Sequence, residues 1–274
     1  MRCLVKTIEH DSRADVFTIV PLGDVHLGAA ACDEKLFQQT VDHIRDTPET
    51  FWIGMGDMVE AIPRQDKRYN EDVVAKWLHG KSAIIKYQRD RLIETLKPIG
   101  HKCLAYVLGN HELCISEQHS SDVYLDVIEA IRPTPETDLR MDMAGWLLLK
   151  FQRCDKGGTR TIKIYTHHGF GGGDLMGGSA LKLERLSESF DADIYCMGHT
   201  HKRLAFPTVM TSVTRTGGIV AQNRYHINTG SFLKTALPIG TTYSERFGKK
   251  PLSLGVVEIE IRPGAEDDGI RVTI

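Results

Sequence analysis

No stretch of this 274-residue chain approaches the ~18 uninterrupted apolar residues of a membrane span. Arg2, Lys6, Glu9, Asp11, Arg13 and Asp15 break up the first twenty residues, so no secretion signal is read there. The six cysteines (Cys3, Cys32, Cys103, Cys114, Cys154, Cys196) form no Cys-x-x-Cys pair and mostly sit among apolar neighbours. Reduced, core-type thiols and a cytoplasmic location without a membrane partner are expected. Charge of one sign is also lacking: Lys+Arg 34 against Asp+Glu 36 leaves a net charge of -2. This excludes the global basic excess of a dedicated nucleic-acid binder but not a local basic patch. With 41% hydrophobic and 26% charged residues, the composition excludes disorder, collagen-like repeats and coiled coil. No Ser/Gly/Pro-rich linker and no internal repeat divides the chain, so residues 1–274 are expected to form a single domain. The oligomeric state is not legible.

What is present is an alternation of short β-branched runs with helical spacing. Strands are expected at Leu4 to Ile8, Val16 to Leu22, Phe51 to Ile53, Cys103 to Leu108, Trp146 to Phe151, Thr161 to Thr166, Ile194 to Met197, Tyr225 to Ile227 and Val256 to Ile261. Leu36, Phe37, Val41 and Ile44 keep a helical period, as do Ile84, Ile85, Leu92 and Leu96, and Leu181, Leu183, Leu186 and Phe190. Residues 155–158 read as a hairpin turn, residues 264–268 as a turn between the last two strands, and about 62–100 as a helical segment. The second half is richer in strands, which predicts an α/β protein with mixed sheets. Between Arg64 and Lys102, ten Lys/Arg face five acids. A solvated helical face and a surface attracting an anionic substrate both fit.

Five turns that follow strand-like runs carry the chemistry: Gly23-Asp24-Val25-His26, Gly56-Asp57, Gly109-Asn110-His111-Glu112, Thr166-His167-His168-Gly169 and Gly198-His199-Thr200-His201. Turns after the carboxyl ends of strands in an α/β sheet converge on one crevice. Asp24 and His26, and likewise His199 and His201, stand two residues apart, so along an extended segment each pair points to one side. Carboxylate, imidazole and amide oxygen without thiolate form a ligand set for divalent manganese, iron or zinc. Six or seven such ligands exceed the needs of one ion, and an Asp can bridge two, so a two-metal site is expected.

This order of motifs, with Asn228-Thr229-Gly230-Ser231 downstream, resembles the calcineurin-like metallophosphoesterase superfamily over Asp24 to Ser231. The resemblance implies a four-layer α-β-β-α sandwich with two mixed sheets, two divalent ions (manganese first, iron or zinc as alternatives) and hydrolysis of phosphate esters. Carried over, Asp24, His26 and His201 would hold one ion. Asn110, His199 and one of His167 and His168 would hold the other, with Asp57 between them. His167 and His168 point opposite ways off a strand end, and the Gly that commonly follows this ligand in the family favours His168. His111 is placed to protonate the leaving oxygen. Glu60 occupies the position where related protein Ser/Thr phosphatases carry the Asp that pairs with this histidine; an ordinary surface Glu is the alternative.

Met58, Val59, Glu60, Ala61 and Ile62 provide neither the phosphate-gripping Arg of the Ser/Thr phosphatases nor the Tyr ligand of the purple phosphatases. The glycine-rich run 169–178 is similar to loops of phage and bacterial metallophosphoesterases. It reads as a phosphate-contacting loop or as a connector into a helix beginning near Ser179. With the basic stretch, it favours a phosphodiesterase acting on a nucleotide or nucleic acid, nuclease activity included. The alternative is a non-catalytic metal-binding scaffold for partner proteins.

Overall fold

The computed structural model describes residues 1–274 apart from 65, 67, 68, 120, 121, 155–157, 174 and 236–249. Among the described residues, the strands form two mixed sheets. One has the order β12 (Ile270–Thr273), β11 (Glu258–Ile261), β2 (Phe17–Leu22), β3 (Thr50–Gly54), β4 (Cys103–Tyr106), with β2, β3 and β4 parallel. The other runs β1 (Arg2–His10), β5 (Ala144–Arg153), β6 (Thr159–His167), β7 (Ile194–Met197), β9 (Ile219–Ser231), β10 (Gly255–Val256). There β6, β7 and β9 are parallel, and β8 (Arg203–Val213) pairs antiparallel with β9.

Successive strand residues point to opposite faces, and the central strands β2, β3, β4 and β7 are buried on both, as strands between two packed layers must be. Phe17, Ile19 and Ile53 of one sheet meet Leu147, Phe151, Ile164, Ile194 and Cys196 of the other in a shared interior. Their neighbours Val20, Leu22 and Trp52 face outward, against Phe37, Val41 and Ile44 of α1 (Glu34–Asp46), Leu92 and Leu96 of α2 (Ile84–Leu96), and α4 (Val123–Ile131). On the far side, Tyr165, Tyr195 and Met197 take Leu183 and Leu186 of α5 (Met176–Ser189). The result is the expected α-β-β-α layering. Asp33 caps α1 by accepting from the Leu36 N–H, satisfying an otherwise orphaned donor.

Several local expectations change. Residues 62–83 are not a continuous helix: Pro63 and Gly80 interrupt it, and Glu71–Val73 and Lys76–Leu78 form only short 3-10 turns ahead of α2. Helix α3 (Asn110–His119), helix α4 and the β8 strand lacked a clear sequence period. The hairpin residues 155–157 lie outside the described residues, although β5 and β6 pair antiparallel on either side of them. Three of the ten basic residues between 64 and 102 are held in structural contacts. Lys102 donates from inside the fold to the carbonyls of Ile44, Arg45 and Thr47, Arg89 pairs with Asp90 and Asp126, and Arg91 pairs with Glu34. None of the six cysteines is disulfide-bonded, and no described helix is long and apolar enough to cross a membrane.

Candidate metal centre

Six parallel strands end at one rim. Five of their exits carry the predicted residues: β2 leads to Asp24 and His26, β3 to Asp57, β4 to Asn110, β6 to His168, and β7 to His199 and His201. The exits turn sharply. Asp24 (φ 48°), His26 (φ 51°), Asp57 (φ 50°), His199 (φ 66°) and His201 (φ 58°) all adopt the left-handed conformation, which costs a non-glycine residue about 1–2 kcal/mol. Hydrogen bonds between exits enforce it: Asp24 N–H donates to Gly56 O at 3.0 Å and His26 N–H to Asp57 O at 3.0 Å.

Three groups have donor atoms within 4.8 Å of one another: Asp24, His26 and His201; Asp57, His168 and His199; and His26, Glu60 and His111, which shares His26 with the first. Asp57 stands between the first two, with Oδ2 3.2 Å from His168 Nε2 and 3.9 Å from His26 Nε2. His168 donates from Nδ1 to the Met55 carbonyl at 2.8 Å, and His26 from Nδ1 to the Glu60 carboxylate at 2.9 Å. Both rings therefore aim Nε2 inward, as imidazole ligands with an outer hydrogen bond do. His167 does not join the cluster. Its Nδ1 accepts from the Gly169 N–H at 2.8 Å and its ring lies against Phe170, because adjacent residues at a strand end face opposite ways.

The donor set fits divalent cations. Asp24 Oδ1 is buried without a hydrogen-bond partner, 3.7 Å from His201 Nε2. His26 Nε2 and His201 Nε2 face each other at 3.2 Å. The Asn110 side-chain amide lies 3.3 Å from Asp57 Oδ2, 2.9 Å from His168 Nε2 and 2.7 Å from His199 Nδ1; without a cation its nitrogen faces these groups and hydrogen-bonds to them. Turning oxygen inward is favourable once a cation sits among these atoms. Burial would lower the pKa values of His26 and His168, but hydrogen bonds and charges from Glu60, Asp57 and Asp24 push both up to about 9. Burial raises Asp24 to about 7. It would also raise Asp57, but the His168 hydrogen bond and the surrounding histidines hold that carboxyl well below the usual range. His201, buried near His26, is held well below its usual range, so its lone pair is open.

His111 lies beside the first group, its ring 4.7 Å from that of His26. His26 Nδ1 donates to the Glu60 carboxylate, His111 Nδ1 donates to the Glu60 main-chain carbonyl at 2.5 Å, and the ligand atoms of the three side chains lie within 4.8 Å of one another. Ala61, at φ 51°, follows the turn that presents this carbonyl. His111 also donates its backbone N–H to Asp57 Oδ1 at 2.9 Å.

Glu112 had no assigned role in the sequence, although it ends the Gly-Asn-His-Glu motif. Buried in the first turn of α3, its carboxylate accepts from the backbone N–H groups of Asp57 (3.0 Å), Met58 (2.7 Å) and Val59 (3.3 Å). It thus clamps the turn that aims Asp57. Gly109 makes room for the clamp, since a Cβ there would lie 2.1 Å from Asp57 N and 2.3 Å from Glu112 Oε2. Glu112→Ala is expected to leave three buried donors unpaired and to cost roughly 3 kcal/mol or more of folding stability. Urea unfolding measures that loss, and reduced metal content measures the slackened turn. The Asn228-to-Ser231 tail is likewise supporting: Ser231 Oγ donates to Asp24 O at 2.9 Å, and the Asn228 amide donates to Thr200 Oγ1 at 2.6 Å.

The calcineurin-like phosphoesterase family model matches residues 17–203. No curated protein matches the chain. Among solved structures, a conserved uncharacterized protein from Streptococcus pneumoniae TIGR4, described as a predicted phosphoesterase, is 13% identical. The alignment covers 90% of this chain and 84% of that one, with a TM-score of 0.34. A Vps29 double mutant from Entamoeba histolytica is 13% identical over 94% and 97% of the two chains (TM-score 0.37). Chaetomium thermophilum Vps29 is 12% identical over 94% and 93% (TM-score 0.34). With the family match spanning the strand exits from Asp24 to His201, the chain belongs to the calcineurin-like phosphoesterases.

Proposed function

We propose that this chain is a metal-dependent phosphodiesterase acting on a nucleotide or nucleic acid, in which residues 1–274 serve as one catalytic unit. Its proposed cofactors are two divalent ions, manganese first. The observation that carries the reading is the convergence of two carboxylate–imidazole groups, one with Asp24, His26 and His201 and one with His168 and His199, on either side of Asp57, with the His111 imidazole alongside. Asp24, His26 and His201 would hold one ion, Asn110, His168 and His199 the other, and Asp57 both. The ions would supply Lewis acidity and an activated water. The chain's own contribution is positional. The Glu60 carbonyl holds the Nδ1–H of His111, so that in the imidazolium form Nε2–H gives its proton to the departing oxygen and the ring is left neutral. A scaffold that only contacts partner proteins has no need of such an acid.

The reading is tested by hydrolysis of bis-p-nitrophenyl phosphate with added manganese. Turnover that rises with manganese and disappears with a chelator is expected. No turnover by protein shown to hold both ions would replace the enzyme with the scaffold.

A further inference from the structure

The glycine-rich segment after His168 carries a side chain that the metal cluster does not use. Phe170 is 44% exposed, whereas Phe17, Phe37, Phe151 and Phe232 are fully buried. Its backbone is held against the site. Gly169, at φ 120°, packs so closely on the β7 exit that a Cβ there would lie 2.6 Å from both Gly198 O and His199 Cβ. Lys182 of α5 fastens the segment from the other side, donating to Phe170 O at 2.8 Å and Gly172 O at 3.0 Å. The Lys182 ammonium lies 5.7 Å from the Phe170 ring centroid, and the His167 ring braces it at 5.4 Å. An aromatic ring is thus fixed in solvent, one residue beyond Gly169 and beside ligand candidates His168 and His199, with a cation at its flank. Asp174 lies outside the described residues. Beyond it, Leu175 and Met176 line a groove of about 400 Å³ with Arg203 and Lys250, so cationic groups flank the segment at both ends.

We infer that Phe170, braced by His167 and Lys182, is a stacking platform for a base of the nucleotide or oligonucleotide whose phosphodiester is bound at the neighbouring cluster. The inference rests on the function proposed above and narrows its substrate class. A planar base offers a π-face to an exposed phenyl ring whatever its hydrogen-bonding edge, so the platform selects for bases without selecting a sequence. Lys182 adds a positive charge where the substrate's phosphates approach.

The test is calorimetric titration of the manganese-supplied protein with a phosphorothioate-linked thymidine dinucleotide and with the same backbone carrying abasic residues. The wild type should bind the base-bearing ligand about 10-fold more tightly, in line with the stacking of one base. Phe170→Ala should abolish the preference and Phe170→Trp should keep it; because the ring is exposed, neither should alter folding. Equal binding of both ligands by the wild type, or a preference undiminished in Phe170→Ala, overturns the platform. Hydrolysis of ethyl p-nitrophenyl phosphate, which has no base, reports on catalysis separately. Base preference without hydrolysis keeps the platform and discards the enzyme, whereas hydrolysis without base preference does the reverse.

Discussion

Replacing Asp57 with Asn should strip at least one ion from the protein and lower phosphodiester hydrolysis by roughly 10³-fold or more, equivalent to several kcal/mol of lost charge stabilisation. Asn has the shape of Asp, so packing and the His111 backbone bond to Oδ1 are preserved while one negative charge is removed. That charge lies within 4 Å of imidazoles from both the Asp24 group and the Asp57 group, His26 and His168. A neutral amide cannot serve both, since its nitrogen would present N–H to whichever side it faced. Elemental analysis of the purified variant decides the matter. Two ions retained at full stoichiometry would remove the bridging role from Asp57.

His111→Ala should keep both ions and still slow hydrolysis of esters with poor alkoxide leaving groups by roughly 10²–10⁴-fold, the usual worth of a positioned acid. Esters of p-nitrophenol, whose leaving group scarcely needs a proton, should lose much less. The geometry permits this division because the ring donates from Nδ1 to the Glu60 carbonyl rather than joining either of the two ligand groups that contain Asp24 and Asp57. Equal losses on both ester types with metals retained would make His111 a phosphate-binding group. Loss of an ion would make it a support for Asn110.

The layered fold and most strands were legible because apolar residues on both faces of a run such as Phe17–Leu22 leave few alternatives to a strand between two layers. The convergence of Asp24, His26, Asp57, Asn110, His168, His199 and His201 was legible because each follows such a run. What the sequence concealed depends on which atom of a residue is used. Glu60 acts through its carbonyl toward His111 and through its carboxylate toward His26, and one letter cannot distinguish the two. Glu112 reaches backbone donors more than fifty positions away, a pairing without sequence period; its place beside His111 in the motif was the only available signal. The β8–β9 ribbon escaped because Pro207 and a mostly exposed run up to Asn223 give no alternation of buried and open positions, although Gly217-Gly218 marked its turn.

The left-handed backbone at five of the proposed ligands bears on how this protein could change over generations. Glycine enters that conformation freely, so at half-exposed His199 a glycine would relieve local strain and, on backbone grounds alone, favour the folded chain. Selection for thermostability without selection for activity would therefore erode the ligand set one strained position at a time. The Glu112 clamp and the two-sheet core would survive that drift, leaving an intact sandwich with a blank rim. Histidine and aspartate at all five positions in this chain are thus a cost in backbone strain that the site, not the fold, requires.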